Sequence, residues 1–223
     1  MKEFHIMDLS KRLYACAKYT DGFHKLADIG TDHAFLPIHA VLEGYVSYAQ
    51  AIDNKEGPFV IAYSNVKKRE LQEKIKVIKG DGIEKIDDDT DVCVIAGMGG
   101  RLIADILTNH STKNVKRFIL QPNNEADKVR ATLKELKYQI IDELVIKENH
   151  KYYDIIVIEK GSKNYSSFEV MFGPINLKQK PFFFIERIDK EITKLNKVLP
   201  NIPGDQQKIS LLARIKLLEE AKS

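Results

Sequence analysis

"LADIGTDHAFLPIHA", residues 26–40, decides the fold. An apolar stretch ends in Asp28, a single glycine follows at Gly30, and Asp32 and His33 stand where the next helix should begin. A buried strand ending in an acid and a glycine reads as the first strand of an open α/β sheet, its carboxyl end turned toward a ligand. The stretch itself admits three sites: a phosphate cradle, a catalytic Asp-His pair, or the wall of a cofactor pocket. Residues elsewhere have to separate them.

Six more apolar runs follow: "YAQAID" (48–53), "IKVIKGDG" (75–82), "DVCVIAGMGG" (91–100), "RFILQP" (117–122), "YQIIDELVI" (138–146) and "YYDIIVIEKG" (152–161). Several are rich in Val and Ile and stop at Gly, Asp or Pro, as buried parallel strands do. Helix-period segments are expected between them at 34–43, 58–74, 101–107 and 125–136. The last two runs have no helix between them and predict an antiparallel pair at the sheet edge. Five βα units closing in a hairpin give an α/β, Rossmann-like sheet, the layout of class I methyltransferases more than of dinucleotide dehydrogenases.

The strand ends then describe a ligand. "DIGTDHA" has one glycine where GxGxxG has three, so a pyrophosphate finds no cradle. Asp53 ends the second strand, 25 residues after Asp28, where an acid accepts from two ribose hydroxyls. Asp81, in "GDG", can accept from an adenine amine, and "AGMGG" can lie against a flat or extended ligand. Three acids and few glycines suit a cofactor with ribose, adenine and an ammonium but no phosphate. S-adenosylmethionine has that chemistry; the ribose acid suits NAD equally, but the missing glycines disfavour an NAD(P)-dependent oxidoreductase.

Other classes lack their signatures. No GxSxG elbow accompanies the histidines, and HExxH is absent. His33 and His39 stand six residues apart, off the common helix face of an i, i+4 metal pair, so no metal is expected. Cys16 and Cys93 form no CxxC pair. The opening "MKEFHIMDLSKRL" has no apolar leader core, and no apolar run approaches the roughly 18 residues of a membrane span. A cytoplasmic protein with no membrane partner is expected.

Beyond Gly161 the pattern changes. "GSKNYSS" reads as a linker and "FGPINLKQKP" as a loop stop. Ile185, Ile188, Ile192, Leu195 and Leu199 form an a/d seam, broken by "PNIPGD" and resumed by Ile209, Leu212, Ile215 and Leu218 with Leu211. The spacing predicts a C-terminal α-helical coiled-coil hairpin over 162–223 after a cofactor domain over 1–161; two helices packed on the main domain are the alternative. Of the net charge of +3, residues 162–223 carry +4, from 11 basic and 7 acidic side chains. Such a tail is either a solvated helix surface or an electrostatic footprint for a polyanion such as RNA.

"LSKRL" (9–13), "ADIGTDHAFLP" (27–37), "GDGIE" (80–84), "IAGMGG" (95–100) and "LQPN" (120–123) stand in the order and spacing of one bacterial family. The chain resembles the tRNA adenine-22 N1-methyltransferases over essentially its whole length, with Thr31 and Phe35 as mild variants of the family's form. The resemblance implies methyl transfer from S-adenosyl-L-methionine to N1 of adenine 22 in tRNA, leaving S-adenosyl-L-homocysteine. The cofactor contacts expected on this basis are Asp28, Gly30, Asp32, His33, Asp53, Asn54, Asp81, Gly82, Ala96, Gly97, Met98 and Gly99. Asp32 and Asn123 are expected nearest the reaction, with Lys11, Arg12, Gln121 and Tyr153 as RNA contacts on a monomeric enzyme. Lys67, Lys68, Arg69, Arg101 and the C-terminal lysines would extend that footprint.

The chemistry agrees with this set. Adenine N1 has its lone pair in the ring plane, so no proton must leave before attack and no strong base is needed. The product is cationic, which a nearby carboxylate would stabilise. The Asn/Asp-Pro-Pro-Tyr/Phe loop that holds exocyclic amines is replaced by "AGMGG", consistent with a ring-nitrogen target. Three residues keep two readings. Asp32 either caps the following helix or faces the cofactor and base, and Gln121 and Asn123 either bond the base or form a plain Pro-Asn turn. A methyltransferase of a small molecule or protein, and an inactive RNA-binding protein on the same fold, are the competing functions.

Overall fold

A computed structural model describes residues 9–109 and 114–223. Residues 1–8, part of the stretch searched for a leader, lie outside the described residues. The chain begins with α1 (Lys11–Lys18), β1 (Lys25–Ile29), α2 (Phe35–Leu42), β2 (Tyr48–Asp53), α3 (Glu56–Lys68) and β3 (Ile75–Lys79). It continues through β4 (Val92–Met98), α4 (Gly100–Asn109), β5 (Arg117–Pro122), α5 (Ala126–Thr132), β6 (Tyr138–Glu148) and β7 (Lys151–Lys160). Four helices follow: α6 (Ser167–Phe172), α7 (Pro174–Gln179), α8 (Phe182–Val198) and α9 (Asp205–Lys222).

The seven strands form one sheet in the order β3-β2-β1-β4-β5-β7-β6. β3, β2, β1, β4 and β5 run parallel, and β7 lies antiparallel between β5 and β6. This is the expected Rossmann-like sheet with its closing hairpin. Side chains alternate across the pleat into two cores. Leu26, Val92, Val94 and Ile119 pack with residues of α1, α2 and α3. Ala27, Ile29, Cys93, Ile95 and Phe118 pack with Ile103 and Leu107 of α4 and Val129 of α5. Both faces are covered, which is why the strands read as continuous apolar runs.

Several boundaries differ from the sequence reading, among them α5, which ends at Thr132 rather than at 136. The helix expected over 58–74 ends at Lys68, because Glu70 turns left-handed at φ 58°. The Leu71 amide then donates to the Val66 carbonyl and that of Glu70 to Lys67, a Schellman stop without the usual glycine. "FGPINLKQKP" is not a loop stop: Pro174 opens α7, where a missing amide hydrogen costs nothing. The linker reading of "GSKNYSS" ends at Ser166, which with Glu169 makes the capping box of α6.

α8 and α9 pack against one another and against the β6 side of the sheet through Val145, Phe172, Phe184, Ile188, Leu218 and Ala221. The α8 seam turns inward as expected. On α9, Ile215 and Leu218 are buried, but Ile209 and Leu212 are 60% and 51% exposed. The inward row instead passes through Leu211, half-buried one residue from Leu212. A buried ion network fixes this region to the sheet. Arg130 of α5 pairs with Glu143 of β6 and Asp154 of β7, and Asp154 also takes Arg187 of α8, at 2.7, 3.1 and 2.6 Å.

Candidate active site

β1 and β4 are sheet neighbours whose connections run in opposite directions, and that switch point opens a crevice at their carboxyl ends. A cavity of about 730 Å³ occupies it, lined from the ends of β1, β2, β3 and β4 and from the start of α1. Asp28 lies at its floor, 7% exposed. Burial pushes its carboxyl up to about 7; the nearby Thr31 hydroxyl opposes the shift and the charge of Asp53 adds to it. Thr31 itself is buried, and its hydroxyl makes no hydrogen bond of normal geometry. The Cys16 and Cys93 thiols are buried too; desolvation first, then the charge of Asp28, raises both and keeps them neutral. A carboxyl surrounded this way, with no cation paired to it among the described residues, is suited to a positive group from a ligand.

Gly30 lets that ligand approach. Its φ is 74°, and a Cβ there would stand 2.2 Å from Met98 Cε. Asp53 Oδ1 accepts from the Lys55 amide at 2.8 Å, which leaves its second oxygen toward the cavity that Asp53 lines. Asn54 Nδ2 donates to Asp81 Oδ1 at 3.4 Å, joining the ends of β2 and β3. Gly82, Ala96, Gly97 and Met98 complete this wall. Gly99 does not line the cavity; the second glycine of the pair, Gly100, lets α4 start against the chain at Glu125, whose carbonyl a Cβ would meet at 2.1 Å. The acceptors present, Asp28 and Asp53, fit a cation and a pair of hydroxyls without a phosphate.

Asp32 is not a helix cap. Ala34 takes the N-cap position of α2 in the left-handed region at φ 57°, and no side chain caps the helix. Asp32 instead stands at the cavity mouth, its side chain 72% exposed and its Oδ2 3.1 Å from His33 Nε2. His33 stacks on Phe35, with ring centroids 4.9 Å apart and planes 19° apart.

The remaining expected residues meet at one rim, over the ends of β4, β5 and β7. Arg12 faces the cavity; its Nη1 donates to Gln121 Oε1 at 2.5 Å, and its guanidinium lies 5.5 Å from the Tyr153 ring centroid. Asn123 Nδ2 donates to the Gly97 carbonyl at 2.6 Å. Gln121 is wholly buried, so it does not present its amide to a base as the sequence suggested. Lys11 enters through its backbone, whose amide donates to Glu148 Oε1 at 2.5 Å. Arg101, expected in the footprint, is engaged with Glu125 at 2.9 Å. Sequence reasoning missed Glu148, which also lies 3.5 Å from Arg12 Nε, and missed Ser10, which caps α1 and lines the cavity. Ser10 had a signal, a serine opening an amphipathic segment; Glu148, at a hairpin tip, had none.

Comparison with known proteins matches residues 26–220 to the family model described as tRNA (adenine(22)-N(1))-methyltransferase. A Bacillus subtilis tRNA (adenine(22)-N(1))-methyltransferase is 36% identical over 230 residues, spanning 96% of this chain and 97% of the relative. Among solved structures, Streptococcus pneumoniae Sp1610 in complex with S-adenosyl-L-methionine superposes with a TM-score of 0.88 at 37% identity, covering 96% of this chain and all (100%) of that one. Mycoplasma capricolum TrmK, solved with S-adenosyl-homocysteine, gives 0.83 at 32% identity, covering 95% and 96%. The chain belongs to the tRNA (adenine(22)-N(1))-methyltransferase family.

Proposed function

We propose that the protein transfers the methyl group of S-adenosyl-L-methionine to N1 of adenine 22 in tRNA. One observation carries the cofactor half of this reading: a buried carboxyl, Asp28, has no cation paired to it among the described residues and lies at the floor of a glycine-lined crevice. Asp28 is the partner for the methionine ammonium, and Asp53 accepts from the ribose hydroxyls. Asn54, Asp81 and Gly82 hold the adenine, with Ala96, Gly97 and Met98 along the methionine chain. Bound there, the cofactor supplies an electrophilic methyl group on a sulfonium.

The side chains position the reaction more than they perform proton transfers. Adenine N1 offers its lone pair in the ring plane, and orientation with exclusion of water supplies the acceleration. Asp32, at the cavity mouth, faces the incoming base and stabilises the positive charge that methylation leaves on it. Asn123 braces the end of β4 against which the base is held. Arg12, beside Tyr153, meets an RNA phosphate or the base edge at the rim. Residues 1–161 form the cofactor domain, and α8 and α9 form a coiled-coil hairpin whose basic surface widens the RNA contact. The enzyme works as a monomer on tRNA in the cytoplasm.

Methyl transfer to unmodified tRNA followed by nucleoside mapping tests this. N1-methyladenosine at position 22, lost when adenine 22 is replaced, is the expected result. Undiminished transfer to the replaced tRNA, or methylation elsewhere, overturns it.

A further inference from the structure

We infer that Gln121 is a positioning residue for this transfer: a buried amide that locks the Arg12 guanidinium and the Gly97 end of β4 into one rigid unit. The inference rests on the functional reading above and deepens it. A glutamine amide has two acceptor lone pairs and two N–H donors. In Gln121 every one is used, in a side chain with no exposed surface. Oε1 accepts from Arg12 Nη1 at 2.5 Å and from the Gly97 amide at 3.2 Å. Nε2 donates to the Pro122 carbonyl at 3.0 Å and to Asn123 Oδ1 at 3.3 Å. Asn123 closes the ring, donating through Nδ2 to the Gly97 carbonyl at 2.6 Å.

The orientation of the amide is fixed by its partners. Turned over, it would set an NH2 group against a guanidinium and a backbone N–H on one side and two oxygens against its own oxygen on the other. A glutamate would keep the two acceptors and lose both donors. A methionine would match the volume but remove the acceptor shared by the half-buried Arg12 guanidinium and the Gly97 amide, leaving Arg12 held by Glu148 and Tyr153 alone. Gly97 lines the cofactor cavity, and Arg12 belongs to the rim where RNA arrives. The group that joins them therefore sets the distance between the cofactor turn and the RNA-facing cation without touching either reactant. Orientation fixed in advance is what a methyl transfer without a general base depends on.

The experiment is a double-mutant cycle on the full chain, with kcat at saturating tRNA and S-adenosylmethionine affinity by calorimetry as separate readouts. Gln121→Met and Arg12→Ala should each lower kcat, by roughly 10- to 100-fold. The double variant should be no worse than the single variants, because both break one unit. Cofactor affinity should stay within about threefold in all three, and Gln121→Glu should fall between Gln121→Met and the parent. If Gln121→Met does not fold, Arg12→Lys with Gln121→Glu runs the same cycle from the partly exposed partner. A double variant whose loss is the product of the single losses overturns the inference, as does a Gln121→Met enzyme with the parent kcat. Failure of the functional reading looks different: the parent itself would bind the cofactor and leave adenine 22 unmethylated.

Discussion

The two sides of the cavity are built by opposite means. On the cofactor side, Asp28, Gly30, Asp53 and Asp81 are the last residues of strands or the turns just after them, so the sheet alone places them. On the side proposed to face RNA, Arg12, Gln121, Glu148 and Tyr153 come from elements up to 141 residues apart and hold one another by side-chain contacts. The first side depends on strand register and the second on a hydrogen-bonded mesh. The contrast teaches where damage should appear: as lost cofactor binding on one side and lost turnover or tRNA handling on the other.

The largest effect belongs to Asp28. Asp28→Asn removes the partner proposed for the cofactor ammonium, and cofactor affinity by calorimetry should fall about 100-fold or more. Stability should move the other way. The folded carboxyl titrates near 7 against 3.8 for the ordinary group, so the folded state binds its proton more tightly than the unfolded chain. This contribution to ligand-free stability is complete below pH 4 and is lost as pH rises through 7, by an amount on the order of 4 kcal/mol. Asp28→Asn should therefore melt higher than the parent at pH 8, with the gap closing toward pH 4. In the parent, cofactor affinity should be about tenfold weaker at pH 6 than at pH 7.5, since only the ionised carboxylate pairs with the ammonium. A parent whose affinity is flat across that range would remove Asp28 from the ammonium site.

Gly30→Ala comes next. The left-handed backbone costs a side chain roughly 1–2 kcal/mol, and the new Cβ must push the flexible end of Met98 aside. The strain lowers folding stability, while the displaced Met98, which lines the cavity, should drop cofactor affinity about tenfold. kcat at saturating cofactor should stay near the parent, because the rim is untouched. A loss confined to kcat would mean that the division between the two sides is wrong.

The same contrast explains what could be read in advance. The strands, their closing hairpin and the three strand-end acids follow from local patterns, an apolar run and the residue that stops it. Asp32 was misjudged as a candidate cap because Ala34 adopts a left-handed turn that alanine rarely takes, and nothing local announces it. Leu211 and Leu212 are adjacent leucines, and only packing against α8 decides which one turns in. Gln121 sits in "LQPN" like any turn amide; it is buried at the end of β5, and its partner Arg12 stands 109 residues away. Long-range side-chain meshes leave no periodicity in the sequence, and so the RNA side stayed blurred where the cofactor side was sharp.

Glu148→Gln should give the smallest effect and draws the boundary most finely. The carboxylate lies 3.5 Å from Arg12 Nε and offsets part of the charge that an RNA phosphate would meet. Glutamine keeps an acceptor for the Lys11 amide, so the start of α1 holds while one negative charge leaves the rim. Exposed and half-exposed ion pairs of this kind are worth under about 1 kcal/mol. The KM for tRNA should accordingly fall two- to threefold, about the size of such a pair, at low salt, and the difference should fade at high ionic strength. Cofactor affinity should not move. A rise in KM would instead make Glu148 an orienting partner that Arg12 needs more than it needs its full charge.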